Sequence, residues 1–363
     1  MDRSFYTQLA SNSIQEISPD TDISLRILRD PSLELLPLLD AAFEVRKKFT
    51  GKEVAIHIIN NAQNGFCPED CHYCAQAKTS RADIDEYPTK SDDEILEEAR
   101  IAYESGAFRY CLVYAGRGPS HKRALHIAGL IRSIKEKYPL QVCVSAGLMD
   151  KYNIKVLKEA GLDRLNHNLN SSESFYPKIC STHTYQDRLN TLKAARDAQL
   201  EICSGMIAGM GETPKDIVEV AQTLLELKAP SIPINFLIPI EGNVLGAPQG
   251  LTPEYCLRIL CLFRFINPKS EIRAAAGREG HLRSMEVMAL YPANSIFMEG
   301  YLNTLGLDRS RVLRMIQDAG FTIKGALSLD DLIDKENQNS GFHIDGTQSF
   351  MKSLNDLRPV KQP

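Results

Sequence analysis

The 363-residue chain lacks any run approaching the roughly 18 apolar residues that a membrane span requires. It also lacks a basic start followed by an apolar core: the N-terminus reads MDRSFYTQLASNSIQEI, so no secretory signal is expected. A charge excess of one sign is missing too. Lys plus Arg number 42 against 46 for Asp plus Glu, a net charge of −4, which argues against nucleic acid or an anionic membrane as the main partner. These absences predict a soluble, cytoplasmic protein. The nine cysteines are then not expected to form a disulfide framework, because the cytosol keeps thiols reduced. An odd number spread over a long chain points to metal, catalysis or plain core. No Gly/Ser linker and no internal repeat divides the sequence, and 43% hydrophobic against 24% charged residues is a normal globular balance.

What is present is an alternation of periods. Short β-branched or apolar runs fall at 53–60, 109–116, 141–147, 164–170, 201–209, 231–239, 271–277 and 295–302, with helical stretches between them. Ser91-Asp-Asp-Glu94 reads as a capping box, and Thr213-Pro214 as an N-cap followed by proline at the first helical position. Eight strands alternating with helices predict parallel strands joined by right-handed crossovers. Eight is the count of a (β/α)8 TIM-type barrel; an open doubly wound sheet gives the same alternation, and periodicity does not decide between them. Residues 1–48 are expected as a helical extension, with a helix over 33–48, residues 49–322 as the barrel, and residues 323–363 as a polar, loosely ordered tail. The gap after the first strand is longer than one helix needs, which marks a functional loop.

That loop carries Cys67-Pro-Glu-Asp-Cys71-His-Tyr-Cys74. A polar loop is not a core, and three thiolates within eight residues can converge on one centre as soft ligands for iron–sulfur clusters or zinc. Zinc sites usually complete a tetrahedron with a second Cys-x-x-Cys or a His pair, and this chain has no second Cys-x-x-Cys. Three ligands on a four-iron cubane instead leave one iron open for chemistry. A zinc-binding regulatory or scaffold protein stays the alternative from another class, to be separated by metal analysis.

The Cys-x-x-x-Cys-x-x-Cys spacing, with Tyr73 before the last cysteine, resembles the signature of radical S-adenosylmethionine enzymes. CPEDCHYCAQ (67–76), NHNLNSS (166–172), ICSGMIAGMGET (202–213), SIPINFL (231–237), AAGRE (275–279) and ANSIF (293–297), all in order, resemble the biotin synthase family. The resemblance implies sulfur insertion into dethiobiotin, with Cys67, Cys71 and Cys74 holding a [4Fe–4S] cluster that binds S-adenosylmethionine. It implies a second, [2Fe–2S] cluster on Cys111, Cys143, Cys203 and Arg273, from which the sulfur is drawn. By the same resemblance Tyr73, Asn168 and Asn170 contact S-adenosylmethionine, and Asn168 and Asn235 contact the substrate. Many relatives have aspartate where this chain has Asn170, and AGRGP (115–119) departs from the usual segment after strand two. The family further implies a flavodoxin- or ferredoxin-like electron donor and a homodimer. Breaking unactivated C–H bonds is cofactor chemistry, so no catalytic His/Asp dyad is expected. Another radical S-adenosylmethionine enzyme of this branch, such as a hydrogenase-maturation protein, is the alternative within the class.

From the residues themselves, Asn166, Asn168 and Asn170 alternate along strand four and should share one face. Asparagine is a poor strand former, so such a row suggests hydrogen bonding to a ligand. Cys180, Cys256 and Cys261 match no ligand position, and the last two lie in an apolar helical stretch that reads as core.

Overall fold

The computed structural model describes residues 3–248 and 250–340. Three helices precede the first strand: α1 (Arg3–Ile14), α2 (Thr21–Arg29) and α3 (Leu35–Thr50). The hydrophobic pattern predicts only the third. The first two are short and polar, and they are held by what they touch. Ser13 donates to the Phe265 carbonyl at 2.9 Å, and Asp20 caps α2 by accepting from Ile23 N at 2.8 Å.

The barrel strands are β1 (Glu53–Gln63), β2 (Arg109–Tyr114), β3 (Gln141–Ser145), β4 (Arg164–Asn166), β5 (Glu201–Cys203), β6 (Met206–Ala208), β7 (Ser231–Phe236), β8 (Glu271–Ala274) and β9 (Ser295–Phe297). All pair in parallel, and β9 pairs back onto β1 at Ala55↔Ser295, which closes the barrel and excludes the open sheet. β5 and β6 are one stave broken at Ser204-Gly205, so the closed barrel has 8 staves. The break has a steric reason: a Cβ on Gly205 would lie 1.8 Å from the Pro233 carbonyl oxygen, so only glycine lets the two backbones approach this closely. A last strand, β10 (Thr322–Ile323), pairs with the start of β1.

Helices α4 (Asp92–Glu104), α5 (His121–Lys137), α6 (Lys151–Glu159), α7 (Tyr185–Asp197), α8 (Pro214–Glu226) and α9 (Pro253–Ile266) form the outer ring. Then come α10 (Arg278–Leu282), α11 (Arg309–Asp318) and α12 (Leu329–Ser340). Ser91 and Glu94 make the expected capping box on α4, and Thr213 caps α8 with Pro214 at its start. Cys256 and Cys261 are fully buried on α9, as the apolar run predicted. The part of the expected tail that is described contains β10's last residue and α12, and residues 341–363 lie outside the described residues. Among the described residues, no helix is long and apolar enough to cross a membrane.

Arg264 ties α9 to the barrel floor. Fully buried, it donates to the carbonyls of Pro292, Pro268 and Ser270 and to Asn294 Oδ1, at 2.8, 2.8, 2.9 and 2.8 Å. Arg264→Met leaves the three carbonyls without this donor, while Asn294 Oδ1 keeps Ile272 N at 2.9 Å, and we expect it to lower the unfolding free energy by about 3 kcal/mol or more. Urea unfolding of the two proteins measures this; a loss below about 1 kcal/mol, the worth of one ordinary hydrogen bond, contradicts it.

Candidate active site

β1 ends at the C-terminal rim of the barrel, the end where βα barrels carry their sites. The chain then makes the long loop before α4. Within it Cys74 N donates to the Cys71 carbonyl at 3.0 Å, a tight turn that places Tyr73 at its bend. The loop is fastened to the segment after β4 by two carboxylates. Asp70 accepts from Ser181 N and Thr182 N at 3.0 and 3.1 Å, and from the Ser181 hydroxyl. Glu69 accepts from Thr182 Oγ1 at 2.5 Å and pairs with His183 Nδ1 at 2.6 Å and Arg117 Nη1 at 3.1 Å. Burial opposes ionisation of both carboxyls. For Asp70 the hydrogen bonds from Ser181 and Thr182 outweigh it, and for Glu69 those from Thr182, His183 and Arg117, so both stay below the usual carboxylate range.

Cys67, Cys71 and Cys74 all open onto one cavity, together with Tyr73, Asn168 and Asn170. Burial pushes Cys67 up and Cys74 up to about 11; the hydrogen bond to Cys180, and then burial, raise Cys71. A metal centre here must therefore displace protons. Among the described residues the loop triplet is not a set able to grip one ion; the set that is close enough is Cys71, Cys180 and His183. Three thiols spread around a cavity fit a polynuclear cluster better than a single zinc.

The asparagine row reaches the cavity by a different route from the one the alternation predicts. β4 stops at Asn166, and Asn170 sits in the left-handed region at φ 69°, bridged to Met206. Asn166, Asn168 and Asn170 still line the cavity. Asn170 Nδ2 donates to the Tyr73 hydroxyl at 2.5 Å, and Asn168 Oδ1 accepts from Gly205 N at 3.1 Å. Asn235 on β7 lines the same cavity two staves on from β4; its amide donates to the Met206 carbonyl at 2.9 Å.

One layer down, β2, β3 and β5 bring Cys111, Cys143 and Cys203 into a small buried cluster with Ala275 and Phe297. Cys111 and Cys143 are direct register partners, and Cys203 is opposite Asn166. A hydrogen bond from Cys143 holds the Cys111 thiol below its ordinary value, with Arg273 and Arg109 adding to the effect against burial. Arg273 on β8 reaches this group: its Nη1 lies 3.6 Å from Cys203 Sγ, and its buried Nε has no partner. Three thiols and an unsatisfied guanidinium nitrogen are a donor set that fits a thiolate-ligated iron–sulfur cluster.

Several functional positions lie beyond what spacing reveals. Arg188 on α7 lines the cavity, donating to the Asn168 carbonyl at 2.8 Å and the Tyr73 hydroxyl at 3.2 Å. Cys180, which matches no ligand position in the sequence, lies 3.8 Å from Cys71 Sγ and 3.3 Å from Asp70 Oδ1. Two buried His–Glu pairs also lie beyond what spacing reveals. His183 pairs with Glu69 at 2.6 Å, and His57 with Glu271 at 3.0 Å. Neither pair lines the cavity, so both act on the scaffold that carries it.

A parallel eight-stave barrel with a three-cysteine loop at its C-terminal mouth defines the radical S-adenosylmethionine class, and the Radical SAM superfamily model matches residues 64–224. The Biotin and Thiamin Synthesis associated domain model matches residues 233–322. Over 306 residues the chain is 59% identical to the biotin synthase of Magnetococcus marinus, covering 84% of this chain and 95% of that protein. It is also 59% identical to the biotin synthase of Acaryochloris marina, covering 84% and 88%. The chain belongs to the biotin synthase family. Among solved structures, methylornithine synthase matches with a TM-score of 0.74 at 21% identity, over 90% of this chain and 99% of that one. The FeFe-hydrogenase maturase of Carboxydothermus hydrogenoformans matches at 0.73 and 17%, over 90% and 81%. At those identities the two structures show the shared fold alone.

Proposed function

We propose that this chain converts dethiobiotin to biotin by radical S-adenosylmethionine chemistry, using two iron–sulfur clusters. The observation that carries the reading is the 59% identity to biotin synthases over 84% of the chain. When bound, a [4Fe–4S] cluster with S-adenosylmethionine supplies a radical able to break unactivated C–H bonds, and a [2Fe–2S] cluster supplies the sulfur.

Cys67, Cys71 and Cys74 hold the first cluster at the mouth. Tyr73, Asn168 and Asn170 fix the cofactor beside it through hydroxyl and amide groups already ordered by Arg188 and by one another. Asn168 and Asn235 offer amides to the cyclic urea of the substrate. Cys111, Cys143, Cys203 and Arg273 hold the second cluster deeper in the barrel, where the apolar walls of β2, β3 and β7 keep water out. The reading assigns residues 49–322 to one catalytic unit, preceded by a helical extension (1–48) and followed by a C-terminal segment (323–363). It also implies a flavodoxin- or ferredoxin-like donor, a homodimer and a cytoplasmic setting. The net charge of −4 supports a role away from nucleic acid. The hydrogenase-maturation alternative gains nothing beyond the fold from a 17% identical structure.

The test is anaerobic incubation of the reconstituted protein with dethiobiotin, S-adenosylmethionine and a reductant, followed by mass spectrometry. We expect biotin together with 5′-deoxyadenosine. Deoxyadenosine without biotin, from protein carrying both clusters, would refute dethiobiotin as the substrate.

A further inference from the structure

Beneath the strand cysteines the barrel interior holds a layer of buried charge. Arg109 on β2, Arg164 on β4 and Arg273 on β8 all point at one carboxylate, that of Glu271, at 3.3, 3.0 and 2.6 Å. Ser231 Oγ donates to the same carboxylate at 3.0 Å, and His57 Nε2 lies 3.0 Å from it. Barrel interiors are ordinarily filled by branched apolar side chains, and a buried charge is expensive unless paired and hydrogen-bonded. A carboxylate gripped from five sides satisfies that condition.

The three arginines are not equivalent. Arg109 reaches Glu271 and, at 3.5 Å, His57 Nε2, and its Nε also has no partner; Arg164 ends at carboxylates, pairing with Glu201 at 2.7 Å as well. Among the described residues, Arg273 is the one of the three whose hydrogen bonds reach a cysteine. Its Nη2 donates below to Glu271 at 2.6 Å and Ser231 Oγ at 2.9 Å, with His57 Nε2 lying 3.2 Å away. Its Nη1 meets Cys203, and its Nε has no partner. Glu271 and Arg273 are two residues apart on one strand and so share the inward face. A planar guanidinium fixed at one corner presents its remaining edge in one direction only. For Nη1 that direction is toward the Cys203 thiol. Two carboxylates facing three guanidiniums also leave the layer net positive under a site that would be anionic once loaded.

We propose that Glu271 is a positioning residue for the second cluster: it clamps Arg273 by Nη2 so that the free guanidinium edge meets the centre held by Cys111, Cys143 and Cys203. The proposal rests on the two-cluster reading above. It goes beyond the ligand set by naming the group that orients the one ligand unable to orient itself.

The experiment uses the Cys71→Ala background, so that the visible spectrum after anaerobic reconstitution reports the second cluster alone. Adding Glu271→Gln is expected to lower iron and sulfide retained per folded chain about tenfold or more, as loss of a partner that orients a ligand does elsewhere. The cluster that remains should have a higher reduction potential, because a negative charge has been removed beside it. Glu271→Asp keeps the charge, shortens the reach by one methylene, and should recover most of the retention. In an Arg273→Met background, Glu271→Gln should add no further loss, since its effect passes through the arginine.

Wild-type retention and potential in folded Glu271→Gln protein overturn the proposal, as does an undiminished effect in the Arg273→Met background. If Glu271→Gln does not fold, adding Arg164→Met restores the balance of buried charge, and wild-type retention in that folded protein overturns the proposal equally. Failure of the underlying reading looks different. In that case the Cys71→Ala protein takes up no cluster that Cys143→Ala removes, and the proposal falls with it.

Discussion

Cys71→Ala is expected to abolish the loop cluster and cut 5′-deoxyadenosine formation more than about a hundredfold, since losing a ligand exceeds the roughly 10–100-fold that outer partners are worth. Of the three loop cysteines, Cys71 is the most buried and the most tightly surrounded, with Asp70 before it and Cys180 at 3.8 Å. The fall should come with loss of iron at unchanged folding, because the loop is held by Glu69 and Asp70 and not by the thiol. Asp70→Asn keeps all three thiols but weakens the bonds to Ser181 and Thr182. It should fall in the intermediate range of roughly 10–100-fold. Cys256→Ala, in the core of α9, should leave deoxyadenosine formation where it was. Retention of wild-type deoxyadenosine formation by Cys71→Ala would remove the cysteine loop from the chemistry altogether.

The strands and the loop were legible because their signals are local. Each of the eight β-branched or apolar runs carries its own period, and Cys67, Cys71 and Cys74 lie within eight residues of one another. What the sequence hid depends on distance along the chain. Cys180 is 109 residues from Cys71, and Glu271 is 162 residues from Arg109. Nothing in the spacing of either residue marks it, and only barrel closure brings the partners together. The break at Ser204-Gly205 was hidden for a related reason: a continuous run over 201–209 reads as one strand until β7 comes close enough to exclude a Cβ. Helix α1 was missed because it is largely polar with no marked apolar stripe, and α2 because its stripe of Ile23, Ile27 and Leu28 spans only 9 residues, too short to hold a helix without packing. The asparagine row shows the remaining limit. Alternation gave the right destination for Asn170, while its positive φ shows that the strand had already ended.

Cys143→Ala separates the two halves of the proposed chemistry. Cys143 lies between its register partner Cys111 and Cys203, in a buried group that excludes the loop cysteines. Its removal should therefore abolish the second cluster and reduce biotin more than about a hundredfold, by the same ligand argument. Deoxyadenosine formation should change by no more than about twofold, because Cys143 does not line the mouth cavity and distant positions perturb one another by no more than about 0.5 kcal/mol. Iron analysis should show the loop cluster retained and the second lost. The measured quantity is the ratio of biotin to deoxyadenosine, which is insensitive to the fraction of protein loaded at the mouth. A parallel fall in both products would mean that the two sites form one cooperative unit, with the strand cysteines supporting the mouth rather than supplying sulfur. A collapsed ratio with deoxyadenosine intact is the expected result, and it assigns radical generation to the loop and sulfur delivery to the strands.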